Sequence, residues 1–182
     1  ALQGANLEGE NRETYRRLSS ELSSLTNTFG QNVLKEMATY EIWLTADDLA
    51  GLPKGIVDEA AQMAEAKGRK GEFLFTLAQP TYMAFMKYSE RPDLREKFYR
   101  LYTGRNTKGQ YSNVDNMKRI AELRLEIARL LGSPNYATHS LQRTMAENPA
   151  NVYKLLDQLR EAYKPALKKE MDELTAFASE TE

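Results

Sequence analysis

Cysteine is missing from all 182 residues. Neither a disulfide framework nor a thiolate metal site can therefore be built, and a reducing compartment is compatible. Histidine occurs once, at His139. A zinc-protease helix needs H-E-x-x-H, two imidazoles one turn apart with a glutamate to act on the metal-bound water. Here Ser140, Leu141, Gln142 and Arg143 follow the histidine. A di-iron bundle needs Glu-x-x-His, and the residue three before His139 is Tyr136. His139 thus reads as a surface or helix-capping residue, because metal ligands come in clusters. No apolar run approaches the roughly 20 residues of a membrane span. Charge of one sign is not in excess either: 25 Lys+Arg against 26 Asp+Glu leave a net charge of −1. That gives no electrostatic reason to propose a nucleic-acid or anionic-membrane partner. A P-loop, a G-x-G-x-x-G turn and a nucleophile elbow are all absent, which removes the main support for nucleotide and acyl-transfer chemistry.

What is present is helical periodicity. The stretch Val114–Gly132 places Met117, Ile120, Ala121, Leu123, Leu125, Ile127, Ala128, Leu130 and Leu131 over more than half of a helical wheel. An apolar arc that wide predicts a central helix wrapped by others. Asn113 or Asp115 can cap its start, and Gly132 is a natural stop before Ser133-Pro134. Arg124 falls on the apolar arc, so it is expected to be buried and paired. Two pairings are open: a salt bridge tying two helices together, or a guanidinium at a cleft edge reaching a peptide carboxylate.

From about Glu10, the residues Tyr15, Leu18, Leu22, Leu25, Phe29, Val33 and Met37 repeat at helical spacing, predicting one long amphipathic helix to about Thr39. Gly30 interrupts it and suggests a close helix contact. The run 40–45 is aromatic and β-branched, as is 72–77, and the two read as a minor two-stranded ribbon. The alternative for Tyr40–Leu44 is an extension of the first helix. Thr45 and Asp48 have capping-box spacing. An Ala-rich helix over Ile56–Lys67 closes at Gly68. Pro80 and Pro92 each open a helix, with Tyr82, Phe85, Met86 and Ser89, then Leu94, Phe98, Leu101 and Tyr102, on their inner faces. Residues 104–112 form a polar loop. Ser133-Pro134 is expected to start a short helix to about Arg143. Asn148-Pro149 starts the last helix, with Val152, Leu155, Leu156, Leu159, Tyr163, Leu167, Met171, Leu174 and Phe177 or Ala178 on one face. Pro165 lies inside that pattern and should kink or divide it. The fold class is mainly α: about eight helices with at most a small ribbon at 40–45 and 72–77. The chain is read as a single helical domain over 1–182.

Two further constellations have simple structural readings. Glu122 and Glu126 share a face with Lys118, Arg119 and Arg129 within one turn, so an ion-pair ladder explains them better than a catalytic pair. Arg91, Arg95, Arg100 and Arg105 with Tyr99, Tyr102 and Tyr111 look like an aromatic–basic patch, but Glu90, Asp93 and Glu96 are interleaved and cancel its field.

A series of segments running in order along the chain carries more. It comprises Phe29-Gly30-Gln31-Asn32-Val33-Leu34, Leu49-Ala50-Gly51-Leu52-Pro53, Phe75-Thr76-Leu77 with Pro80-Thr81-Tyr82, and Leu94-Arg95-Glu96 with Tyr102 and Arg105. Asp115-Asn116 with Leu123–Gly132, and Met145-Ala146 with Pro149 and Val152, complete it. Together they resemble the zinc oligopeptidases of the thimet oligopeptidase, oligopeptidase A and peptidyl-dipeptidase family. The resemblance implies a chain whose zinc site, an H-E-x-x-H helix plus a glutamate, lies C-terminal to residue 182, so zinc belongs to the full-length enzyme and not to this piece. It implies the helical, non-catalytic wall of a channel that admits short peptides, and no catalytic or metal residue among 1–182. The partners it implies are short peptide substrates and the missing catalytic domain, with self-association through the cut surface. The start at Ala1 and the connector-like ends ALQGANLEGE and FASETE agree with a fragment of a larger cytoplasmic peptidase. The alternative is a stand-alone helical scaffold or protein-interaction domain.

Overall fold

The computed structural model describes residues 4–181. Seven α-helices and one two-stranded sheet follow in the order α1 (Gly9–Met37), β1 (Ile42–Leu44), α2 (Lys54–Ala66), β2 (Phe73–Phe75), α3 (Gln79–Tyr88), α4 (Pro92–Gly104), α5 (Val114–Leu130), α6 (Tyr136–Leu141) and α7 (Pro149–Thr181). The strand reading of 40–45 holds, over the three residues of β1. The ribbon is antiparallel, with Ile42 opposite Phe75, Trp43 opposite Leu74 and Leu44 opposite Phe73. Among the described residues no helix is long and apolar enough to cross a membrane.

The chain divides into two compact units, one of residues 20–122 and one of the N-terminal residues through 19 with 123 onward. The core of the 20–122 unit combines the ribbon with α2, α3 and α4: Ile42, Leu44, Ala60, Phe75, Leu77, Phe85, Leu94 and Phe98 form one buried cluster. Phe85 stacks on Phe98 at 3.8 Å and meets Phe75 edge-on at 5.1 Å. Such aromatic pairs add about 0.5–1.5 kcal/mol beyond their buried area. Local chemistry sets the element ends. Asp48 accepts from both the backbone N–H and the hydroxyl of Thr45, starting a 3-10 turn at Ala46. Gly68, at φ +78°, closes α2: its N–H reaches the Glu65 carbonyl while Arg69 N–H reaches that of Ala64. Gly51 has φ +83°, and a Cβ there would run into the Tyr88 carbonyl oxygen, so only glycine fits between the α2 approach and the end of α3.

In the other unit, Leu18 of α1 and Leu123, Ile127 and Ala128 of α5 are the buried apolar residues. Gly132, at φ +82°, stops α5 as expected, with its own N–H on Arg129 and Ser133 N–H on Ala128. Four expectations are corrected. First, α5 is not wrapped on all sides: Met117 is 48 % exposed, and Ala121 and Arg124 face solvent, so a wide apolar arc did not mean a central position. Second, α6 begins at Tyr136, not at Pro134, because Asn135 is the residue whose side chain accepts the Thr138 N–H. Third, nothing lies within 4 Å of a Cβ built on Gly30, so it marks no close helix contact. Fourth, of the kink or division expected at Pro165, division does not occur: α7 is one helix from Pro149 to Thr181. One missing backbone donor does not stop a helix of 33 residues when the ladder on both sides is intact.

Candidate functional site

The second half of α1, the 104–112 loop and the start of α5 are joined by a polar network within the 20–122 unit. Asn106 sits at φ +56°, a left-handed conformation that asparagine tolerates. Its side-chain amide donates to the carbonyls of Asn32 and Tyr111, at 3.1 and 2.9 Å, and its backbone N–H donates to Glu36 Oε2 at 2.7 Å. The Asn106 carbonyl accepts the Asn113 N–H at 2.7 Å. Asn113, 1 % exposed, holds the N-cap position of α5: its carbonyl takes the Met117 N–H. Its amide donates to the Phe29 carbonyl, and its side-chain oxygen accepts from Asn32 and Asn116. Tyr40 closes the network by donating to Glu36 Oε1 at 2.7 Å. Burial, and then the Glu36 carboxylate, push the Tyr40 phenol up to about 12.

Beside this network lies a cleft of about 600 Å³, walled by Phe29, Val33, Tyr102, Arg105, Asn113 and Met117. The Arg105 guanidinium lies 3.9 Å from the centre of the Tyr102 ring and donates to the Tyr102 carbonyl. Tyr102 in turn stacks on Tyr82 at 3.9 Å. Its lining combines apolar side chains with the amides of Asn106 and Asn113, the hydroxyls of Thr103 and Thr107, and the Arg105 cation. Such a surface can hold an extended apolar segment by burial and by hydrogen bonds at the rim. It offers no nucleophile with an adjacent base.

The residues singled out in the sequence fall in several places. Arg124 is exposed, not buried, with its guanidinium 5.1 Å from the Tyr136 ring centre, so neither the helix-tying salt bridge nor the cleft edge describes it. His139 is half-buried with Nδ1 3.4 Å from the Ser133 hydroxyl, which also accepts from Gln142 at 3.2 Å. A hydroxyl and an amide around one imidazole do not make a zinc donor set, and among the described residues no three His, Asp or Glu side chains gather to hold a metal. The described residues therefore offer no donor set that fits zinc. Glu122 pairs with Arg119 at 3.3 Å, and Arg119 grips Glu21 through Nε and Nη2 at 2.6 and 3.0 Å, so the ladder on α5 reaches α1.

The arginine–tyrosine patch is spent on structure. Arg91 bridges Asp48 at 2.7 Å and Asp93 at 2.8 Å, Arg95 donates to the Ser89 carbonyl, and Arg100 pairs with Glu96 at 2.7 Å. The Thr45 N–H, with Arg91 adding to it, holds the Asp48 carboxyl below the usual range, and Arg91 does the same to Asp93. Lys67 does so to Glu41. Carboxyls pulled down by structural partners are poor general acids. The sequence reading missed the asparagine network. Asn32 and Asn113 stand 81 residues apart, and no spacing rule links amides across such a distance.

A different kind of surface belongs to α7. Every residue from Tyr153 to Glu180 is exposed, and this span contains most of the apolar stripe read from the sequence. Leu155, Tyr163, Leu167 and Leu174 are 57 to 67 % exposed.

The structure shows a largely helical chain with an open cleft, and its sequence relatives give its family. The model of Peptidase family M3 matches residues 85–182, and this chain belongs to that family. It is 39 % identical to oligopeptidase A of Haemophilus influenzae over 97 % of its own length, and 37 % identical to oligopeptidase A of Escherichia coli over the same share. A protein named probable cytosolic oligopeptidase A from Arabidopsis thaliana is 35 % identical, again over 97 % of this chain. The chain spans about a quarter of the length of these relatives, 27 % of the two bacterial proteins and 26 % of the plant one.

Proposed function

We propose that residues 1–182 form the helical, non-catalytic part of a zinc-dependent oligopeptidase or peptidyl-dipeptidase, serving as a wall of the passage through which short peptides reach the metal. The observation that carries this reading is the family match joined to a donor inventory that does not fit zinc: one histidine, no H-E-x-x-H, and no cluster of ligating side chains among the described residues. The metal chemistry then belongs to a catalytic domain C-terminal to residue 182 in the parent protein. This chain's own residues contribute shape. Phe29, Val33 and Met117 give the cleft apolar walls, Tyr102 and Arg105 stiffen its edge by stacking, and the asparagine network fixes the backbone behind it. A wall of this kind selects unstructured peptides, because a folded domain cannot enter a cleft of about 600 Å³. We extend the compartment in the plant relative's name to this chain and place it in the cytoplasm.

The test is direct. The 182-residue chain, offered a short quenched-fluorescence peptide with zinc present, is expected to cleave nothing and to retain no stoichiometric zinc after gel filtration. The open reading frame is expected to continue into an H-E-x-x-H segment. Cleavage, or a zinc ion held by this piece, would overturn the reading. A stop codon directly after Glu182 would favour the stand-alone scaffold instead.

A further inference from the structure

Arg105 is the one charged residue among those that line the cleft of the 20–122 unit. Its guanidinium gives one N–H to the Tyr102 carbonyl and lies 3.9 Å from the Tyr102 ring centre. A guanidinium carries five N–H donors and no acceptor, so most of its donors are left over. Among the described residues no carboxylate forms an ion pair with it. Glu36, the acid of the adjoining network, is engaged elsewhere: Oε1 accepts from the Tyr40 hydroxyl and Oε2 from the Asn106 N–H, both at 2.7 Å.

The amides and threonines of the lining are committed too. The Thr103 and Thr107 hydroxyls donate to the carbonyls of Tyr99 and Gly104, at 2.7 and 2.6 Å. The Asn106 amide donates to Asn32 and Tyr111, and Asn113 is only 1 % exposed. The cleft thus holds out to a ligand an apolar wall and an uncompensated cation. That cation is half-buried, so solvent ions screen it less than a surface charge, and its planar fork of donors matches a carboxylate. It is also held in place: Tyr82 backs the Tyr102 ring at 3.9 Å, and a pre-ordered side chain loses little freedom when a ligand arrives. From this we infer that Arg105 reads a carboxylate on the bound peptide and seats it beside an apolar side chain lying on Phe29, Val33 and Met117. The inference rests on the cleft being part of the peptide passage, and adds the charge class of peptide that the passage favours. Arg105 sets specificity; it is given no part in the bond cleavage. A peptide C-terminus and an Asp or Glu side chain both carry the required group.

Binding to the 182-residue chain tests this. The probe is one dye-labelled pentapeptide containing leucine and phenylalanine, read by fluorescence polarisation in two pairs. The first pair compares the free C-terminal carboxylate with its amide. The second, amidated throughout, compares an internal glutamate with glutamine. In at least one pair the carboxylate form is expected to bind about tenfold tighter, and the pair that differs identifies the source of the carboxylate. Arg105→Gln should bring that ratio to about one, and Arg105→Lys should keep part of it, with helix content by circular dichroism unchanged in both. Two pairs that each bind equally to the wild-type chain would overturn the inference. So would an Arg105→Gln chain that weakens all four peptides by the same factor, since Arg105 would then only brace Tyr102. An inactive, zinc-free chain without carboxylate preference defeats this inference alone, whereas a chain that cleaves the probe defeats the reading of a non-catalytic wall.

Discussion

Residues 20–122 and the α7 helix carry apolar residues at comparable density and with equally regular spacing, yet they end in opposite environments. Phe85 and Phe98 are fully buried, while Leu167 and Leu174 on α7 are 59 and 61 % exposed. In the first region the ribbon and three helices present their faces to one another, and Phe85 is held between two other phenylalanines. In the second, a helix of 33 residues presents a clean stripe to solvent. Periodicity specifies which side of a helix can be buried. It does not specify what buries it.

The sharpest way to break this comparison is to make the same kind of truncation in both regions. Phe98→Ala should cost about 3–5 kcal/mol, since it empties a fully buried site. Leu174→Ala should change stability by no more than about 0.5 kcal/mol. Urea unfolding of both variants decides it; equal losses would mean that α7 is covered within one chain. Next in size, Asn113→Ala should cost about 3 kcal/mol, because it strands the Phe29 carbonyl and the amides of Asn32 and Asn116. A thermal shift of that order would show that the amide network behind the cleft supports the fold as strongly as the apolar core does. Gly51→Ala should lose about 2 kcal/mol by forcing a Cβ into the left-handed region against the Tyr88 carbonyl. A neutral result there would mean the turn relaxes.

The smallest effect concerns alkali. The Tyr40 phenol is raised to about 12 in the folded chain and ionises near 10 when unfolded. A raised folded value contributes stability that is complete below about pH 10 and is lost as pH climbs toward 12, because the unfolded chain then holds fewer protons. Tyr40→Phe should lack that alkaline decline, while losing about 1 kcal/mol at neutral pH with the Glu36 hydrogen bond. Parallel alkaline curves for the two proteins would show that Glu36 and burial do not hold the proton.

Much of the fold was legible because its causes are local. Pro80, Pro92 and Pro149 sit in the first turns of α3, α4 and α7, and Gly68 and Gly132 end α2 and α5, since each needs only its near neighbours to act. The ribbon at 42–44 and 73–75 was legible from side-chain type. Family membership was legible too, from short segments recurring in order. Arg124 was misread for an equally physical reason: a wheel treats every residue on an apolar arc as buried, whereas α5 is covered on only part of it.

The sequence alone determined the helices, their stops, the absence of a thiolate or H-E-x-x-H metal centre, and an apolar stripe along the last helix. Tertiary structure alone decided that Asn32, Asn106 and Asn113 meet, that Gly51 faces a carbonyl, and that Arg124 is exposed. Local sequence fixes φ, ψ and the direction of each side chain. Whether a face is covered or an amide paired depends on atoms that the chain brings back from tens of residues away, and no window of sequence contains both partners.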